Sequence, residues 1–143
     1  MHVVQHYYRL LVSKKIVRII TYSDYTAYSA PIFHSLKILP LEFIYNFNLG
    51  LTFYKINNNM INIGSHSVTP ISEIHNHQTR LSVNKNFFQK YNRIRISQST
   101  YSSKGLQFWR ELPLNLKNLS FSAFKYKLKQ HLLRLLEIKF LDN

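Results

Sequence analysis

The 143-residue chain contains no cysteine. A disulfide framework, a thiol nucleophile and a Cys-ligated zinc site are therefore excluded. Acids are nearly as scarce. There are two Asp (Asp24, Asp142) and four Glu (Glu42, Glu73, Glu111, Glu137), scattered along the chain. Metal-dependent polymerases and nucleases need clustered carboxylates to hold divalent cations, and glycosidases need a carboxylate pair. With no such cluster in the sequence, the chain is not expected to be an enzyme. The three glycines, Gly50, Gly64 and Gly105, lie far apart, so there is no glycine-rich phosphate loop. The fourteen serines form no Gly-x-Ser-x-Gly elbow. No apolar run approaches the roughly 18 residues of a membrane span. The first residues, MHVVQHYYRLLVSKK, lack the basic start, apolar stretch and cleavage site of a signal peptide. The expectation is a chain that is neither membrane-bound nor secreted, with no cofactor and no small-molecule substrate.

What is abundant is apolar and basic. The chain is 45% hydrophobic and 15% aromatic, enough to bury a core. Nineteen Lys and Arg against six acids give a net charge of +13 and a pI near 10.1. Such a charge points to polyanionic partners, nucleic acid first. Phe, Tyr, Asn, Ile and Lys make up 59 of the 143 residues, a set enriched together by A/T-rich coding, so part of the lysine excess has a mutational explanation. The charge is uneven. Residues 1–79 carry six basic and three acidic groups, whereas residues 80–143 carry thirteen and three. Between Glu73 and Glu111 lie seven cations and no acid. Interleaved with them are Phe87, Phe88, Tyr91, Tyr101, Phe108 and Trp109. Cations for phosphate and aromatics for base stacking are what single-stranded nucleic-acid binding uses.

Residues 5–21 read as a helix with Tyr8, Val12, Ile16 and Ile19 on one face and Lys14 and Arg18 opposite. Residues 22–31 read as a turn. Residues 36–57 are ambiguous. Tyr45, Phe47, Leu49, Leu51 and Phe53 alternate with small or polar residues as in a strand, yet the length and the missing internal turns suit a helix. The Asn run at 57–59, with Gly64 and Pro70, marks a break. His75 and His77 form an H-x-H pair, but only His66 and Glu73 are near enough in sequence to complete a metal site. Structural hydrogen bonding is the default role for such a pair, and no metal is expected. Residues 105–113 read as a short apolar helix stopped before Pro113, with Phe108, Trp109 and Leu112 anchoring the last helix. Residues 120–141 are the clearest helix, capped by Ser120, with Phe121, Phe124, Leu128, Leu132 and Leu135 as its core stripe.

Seven segments in order carry a resemblance. They are Leu11 to Ile20 (LVSKKIVRII), Ser29 to Phe33 (SAPIF), Leu36 to Leu41 (LKILPL), Phe53 to Lys55, His75 to Arg80 (HNHQTR), Gly105 to Pro113, and Ser122 to Lys125 with Leu128. The chain resembles the region that follows the polymerase domain in non-LTR (LINE-type) retrotransposon reverse transcriptases. Members commonly show an LQKKAIRII helix, an APLF segment followed by LKILPL, an H-N-Y-N-T-R turn, a G-x-x-x-W-N-x-L-P box and a final S-F-K-x-x-L helix. Here His77 stands where Tyr is usual, Arg110 where Asn is usual and Leu106 where Pro is usual. The family's Tyr/Phe-x-Asp-Asp catalytic turn has no counterpart here. The resemblance therefore implies a polymerase lineage without polymerase residues, and a helical, basic appendage that holds template RNA or target DNA. It also favours helix for residues 41–57.

The expected fold is mainly α, a small basic helical domain with a short hairpin or extended pair near 92–101. An N-terminal helical segment (1–57), a linker (58–74) and a basic C-terminal helical segment (75–143) would together make one domain-sized fragment. Arg80, Arg93, Arg95, Lys104, Lys125 and Lys129 are the expected phosphate contacts, with Trp109 and Phe124 in the core. Expected partners are RNA or DNA and the polymerase domain of a parent protein. Two other readings compete: a docking module for a missing polymerase core, and the remnant of a truncated element with no cellular role.

Overall fold

A computed structural model describes residues 12–61, 68–74, 76–88 and 100–141. They are mainly helical. The elements are α1 (12–20), α2 (Ser29–Ser35), α3 (Leu41–Asn57), α4 (Ile71–Ile74), α5 (Arg80–Val83), α6 (Tyr101–Glu111), α7 (Leu114–Lys117) and α8 (Phe121–Leu141). The one β feature among the described residues is an isolated antiparallel bridge between Pro70 and Phe87. The hairpin expected near 92–101 lies outside the described residues, except for Thr100 and Tyr101. Those two belong to α6, where the Thr100 hydroxyl accepts from the Ser103 amide and Tyr101 opens the helix.

The chain forms two compact units, residues 1–45 with 129–143, and residues 46–128. The long helices α3 and α8 each contribute residues to both units. Between α3 and α5, Ile71–Ile74 is a helical turn with Ile71 buried.

In the first unit, Val17, Phe33, Leu39, Phe43, Leu132 and Leu136 are buried. The stripe expected on α1 is corrected: Val12, Ile16 and Ile19 are exposed and Val17 is the residue that enters the core. Likewise α8 continues its stripe through Leu136, not Leu135. Phe124, Leu128, Leu132 and Leu136 recur every four residues and are buried, while Leu135 is exposed. Pro31 is accommodated in the first turn of α2, where an amide would have no intrahelical partner.

The ambiguity of residues 41–57 is settled as helix α3, started in the first unit by Pro40, whose carbonyl accepts from the Ile44 amide at 3.0 Å. Leu49, Phe53 and Tyr54 are buried on it, a four-residue spacing that the two-residue alternation concealed. Rings then close a cluster. Phe53 meets Phe87 edge-on at 5.8 Å, Phe87 meets Trp109 at 6.1 Å, Trp109 meets Phe124 at 6.1 Å, and Phe124 stacks on Tyr54 at 4.4 Å. Two glycines permit this. A Cβ on Gly105 would sit 2.0 Å from the Phe53 ring, and one on Gly50 would sit 2.7 Å from Leu128.

Four helices end in the same motif. After α1, α2, α3 and α5, the residues Tyr22, Lys37, Asn59 and Lys85 have φ between 52° and 54°. In each case the next amide bonds five residues back: Ser23 to Arg18, Ile38 to Phe33, Met60 to Lys55 and Asn86 to Leu81. This is the Schellman arrangement, whose left-handed position usually holds glycine. Here non-glycine residues bear a left-handed cost of roughly 1–2 kcal/mol.

Two expectations follow. Lys37→Gly removes that strain at an exposed site and should raise stability by about 0.5–1 kcal/mol, after allowing for glycine's greater unfolded-state freedom. Gly105→Ala gains helix propensity of about 1 kcal/mol but drives a methyl into the Phe53 ring, an overpacking cost of about 1–3 kcal/mol or more. The net effect should be a lower melting temperature. Urea denaturation of both variants checks the two signs, and a stabilised Gly105→Ala protein would contradict the described packing.

Candidate nucleic-acid interface

Residues 46–128 hold eleven Lys and Arg against two acids, Glu73 and Glu111. Three of the expected phosphate contacts stand exposed in this unit on three different helices. Arg80 opens α5, Lys104 lies on α6 and Lys125 lies on α8. Thr79 fixes the position of Arg80 by capping α5, its hydroxyl accepting from the Ser82 amide at 3.2 Å. Lys129 is exposed on the part of α8 that belongs to the other unit. Arg93 and Arg95 lie outside the described residues. Among the described residues, no carboxylate pairs with Arg80, Lys104, Lys125 or Lys129. Their charges remain uncompensated by neighbouring acids, the condition under which a basic surface attracts phosphate.

The aromatics of the basic window divide, and apart from Trp109 the sequence did not indicate how. Phe87 and Trp109 are core residues, and Phe108 is half-buried beside the Gly50 position. Phe88 and Tyr101 are exposed. Trp109 and Phe124 are buried, as their spacing indicated.

One cation was missed altogether. Lys117 is 2% exposed, with its ammonium over the Trp109 ring at 5.2 Å. It donates to the Asn84 carbonyl at 3.2 Å and to Asn86 Oδ1 at 3.1 Å. The Trp109 indole N–H donates to the Lys85 carbonyl at 2.8 Å. Together these bonds clamp residues 84–87. Nothing in local spacing marks Lys117, which looks like one more solvated lysine on a polar turn. Burial lowers its pKa from 10.5 to about 8.

Among the described residues, no group of three or more His, Asp or Glu is placed to hold a metal ion. His77 is exposed, and His75 lies outside the described residues. No described helix is long and apolar enough to cross a membrane. No family model, curated protein or solved structure matches the chain.

Lys117 gives the pH dependence a definite sign. Below about 8 it is charged whether the chain is folded or unfolded. Between about 8 and 10.5 the folded chain releases a proton that the unfolded chain keeps. Folding stability therefore rises with pH across that window. The informative quantity is a difference between the native chain and a variant that lacks this amine. Lys117→Met cannot titrate and strands two carbonyl oxygens, so the stability gap between native chain and variant should widen as pH rises. A gap that stays constant from pH 7.5 to 10 would show that Lys117 is not a buried cation.

Proposed function

We propose that the chain is a non-catalytic, basic appendage of a retrotransposon-type RNA-directed DNA polymerase, binding template RNA or target DNA through the cations of residues 46–128. The observation that carries the reading is the unpaired exposure of Arg80, Lys104 and Lys125 in a unit with eleven cations and two acids. The lineage is supported by the order of the resembling segments and by what their residues do here. Phe33, Phe53, Tyr54, Gly105, Trp109, Leu112, Phe124 and Leu128 are all buried. The described residues of His75–Arg80 are exposed, so the segments combine packing positions with surface ones, and the buried positions speak for a shared fold more than a shared chemistry.

Binding of labelled RNA and DNA should weaken steeply with salt, with a log–log slope of several units. Lys104→Glu with Lys125→Glu should lower affinity on any sequence and reduce that slope by about two. Absent or salt-insensitive binding would refute the reading.

A second reading rests on a different observation. The first unit carries an open apolar groove of about 550 Å³ lined by Val12, Ile16, Ile20, Phe33, Ile38 and Ile44. Several of these side chains are exposed, as in a surface that docks against another chain. On this reading the polymerase portion of the parent covers the groove. The isolated chain would then aggregate rather than melt cooperatively as a monomer.

A further inference from the structure

The segment between α1 and α2 reads Thr-Tyr-Ser-Asp-Tyr-Thr-Ala-Tyr, residues 21–28. Its three tyrosines fall every third residue, and all three side chains are held in solvent. Tyr22 is 98%, Tyr25 71% and Tyr28 83% exposed. The backbone beneath them is tied down. The Thr21 hydroxyl lies 2.9 Å from the Val17 carbonyl, to which it donates, and 2.7 Å from the Ser23 hydroxyl. The Ser23 amide donates to the Arg18 carbonyl at 2.9 Å. The Asp24 carboxylate accepts from the Thr26 amide at 3.2 Å, and its carbonyl accepts from the Ala27 amide at 3.0 Å. Arg18 Nε donates to the Ala27 carbonyl at 2.7 Å. This is a stapled turn that presents three rings.

Large aromatic rings left wet on an ordered segment forgo the burial that the rest of the chain uses to fold. Two chemistries would use them: a protein surface or unstacked bases. The charge beside them favours bases. Lys15 places its ammonium 5.9 Å from the Tyr25 ring centre, Arg18 is built into the turn, and Lys14 is exposed on α1. Asp24 is the single acid among these groups, and it is engaged in the turn.

We infer that Tyr22, Tyr25 and Tyr28 form a base-stacking platform for single-stranded nucleic acid, with Lys14 and Lys15 meeting its phosphates. The inference rests on the reading of the chain as a nucleic-acid binder, and it assigns a site in residues 12–28 that the phosphate contacts above do not include. Rings take the base faces without reading sequence, and the cations track the backbone.

The test uses the whole chain and three labelled probes of equal length, about twelve nucleotides: oligothymidylate, an abasic strand with the same phosphates, and a blunt duplex. Oligothymidylate should bind at least tenfold more tightly than the abasic strand, and the duplex should not match it. Replacing all three tyrosines by Ala should erase that preference, while Phe at all three should keep it. Because these side chains are exposed, the Ala variant should melt within a few degrees of the native chain. Equal affinity for thymidylate and abasic strands, or an Ala variant with undiminished thymidylate affinity, would overturn the platform while leaving the basic-surface reading standing. No binding of any probe at low salt would remove both.

Discussion

The second unit depends on how residues 84–87 are held. This short stretch has no regular structure beyond the end of α5 and one isolated bridge, yet both its sides are bonded. The Lys117 ammonium and the Trp109 indole take the carbonyls of Asn84 and Lys85, while Asn86 and Phe88 exchange hydrogen bonds with Ile71 and Thr69. The result is that Phe87 is delivered between Phe53 and Trp109. Without the clamp, the aromatic cluster loses the ring that joins α3 to α6. A buried ammonium is a costly tool for this, since its desolvation opposes folding. It is tolerated because three acceptors (two carbonyl oxygens and the indole face) converge on it.

Scarcity of glycine shapes the rest. Two of the three glycines are placed where helices approach too closely for a Cβ, at Gly50 and Gly105. None stops a helix among the described residues. The four Schellman ends fall instead to Tyr22, Lys37, Asn59 and Lys85, each in a left-handed conformation. Close packing has thus taken precedence over relaxed helix ends. The physical reason is one of magnitude. A clash with a buried ring cannot relax, whereas left-handed strain at an exposed residue costs about 1–2 kcal/mol and leaves the surroundings untouched.

Much of the fold was legible because long helices with strong stripes announce themselves. Residues 120–141, the helix stop before Pro113 and the burial of Trp109 and Phe124 follow from spacing and caps, whereas the helix expected from Gly105 begins already at Tyr101. What failed were faces and partners. On α1 the apolar residues are so numerous that two faces qualify, and only packing selects Val17. At the end of α8, Leu135 and Leu136 are adjacent and equally apolar, so sequence alone does not choose between them. Lys117 was unreadable because its acceptors lie more than thirty residues away and are backbone or amide oxygens with no signature. Of the expected phosphate contacts, Arg80, Lys104, Lys125 and Lys129 stand exposed, which composition made a fair expectation. The same composition could not sort the other aromatics of that window, because a ring in a basic window is as serviceable to a core as to a base.

That division bears directly on function. If the aromatics of residues 80–111 were a stacking surface, the second unit would have no closed core, since Phe87 and Trp109 supply two of its five linked rings. Packing therefore has first claim on Phe87 and Trp109, and the exposed rings of that unit are Phe88, Tyr101 and Tyr126 among the described residues. A purely electrostatic surface binds duplex and single strand alike and falls away with salt. Preference for an unpaired strand needs rings that the core does not require. The most exposed of these are Tyr22, Tyr25 and Tyr28, on a turn whose hydrogen bonds hold it in place without any of the three side chains. On the proposed reading, fold and recognition draw on separate sets of aromatic residues, and only the exposed set can be altered without disturbing the core.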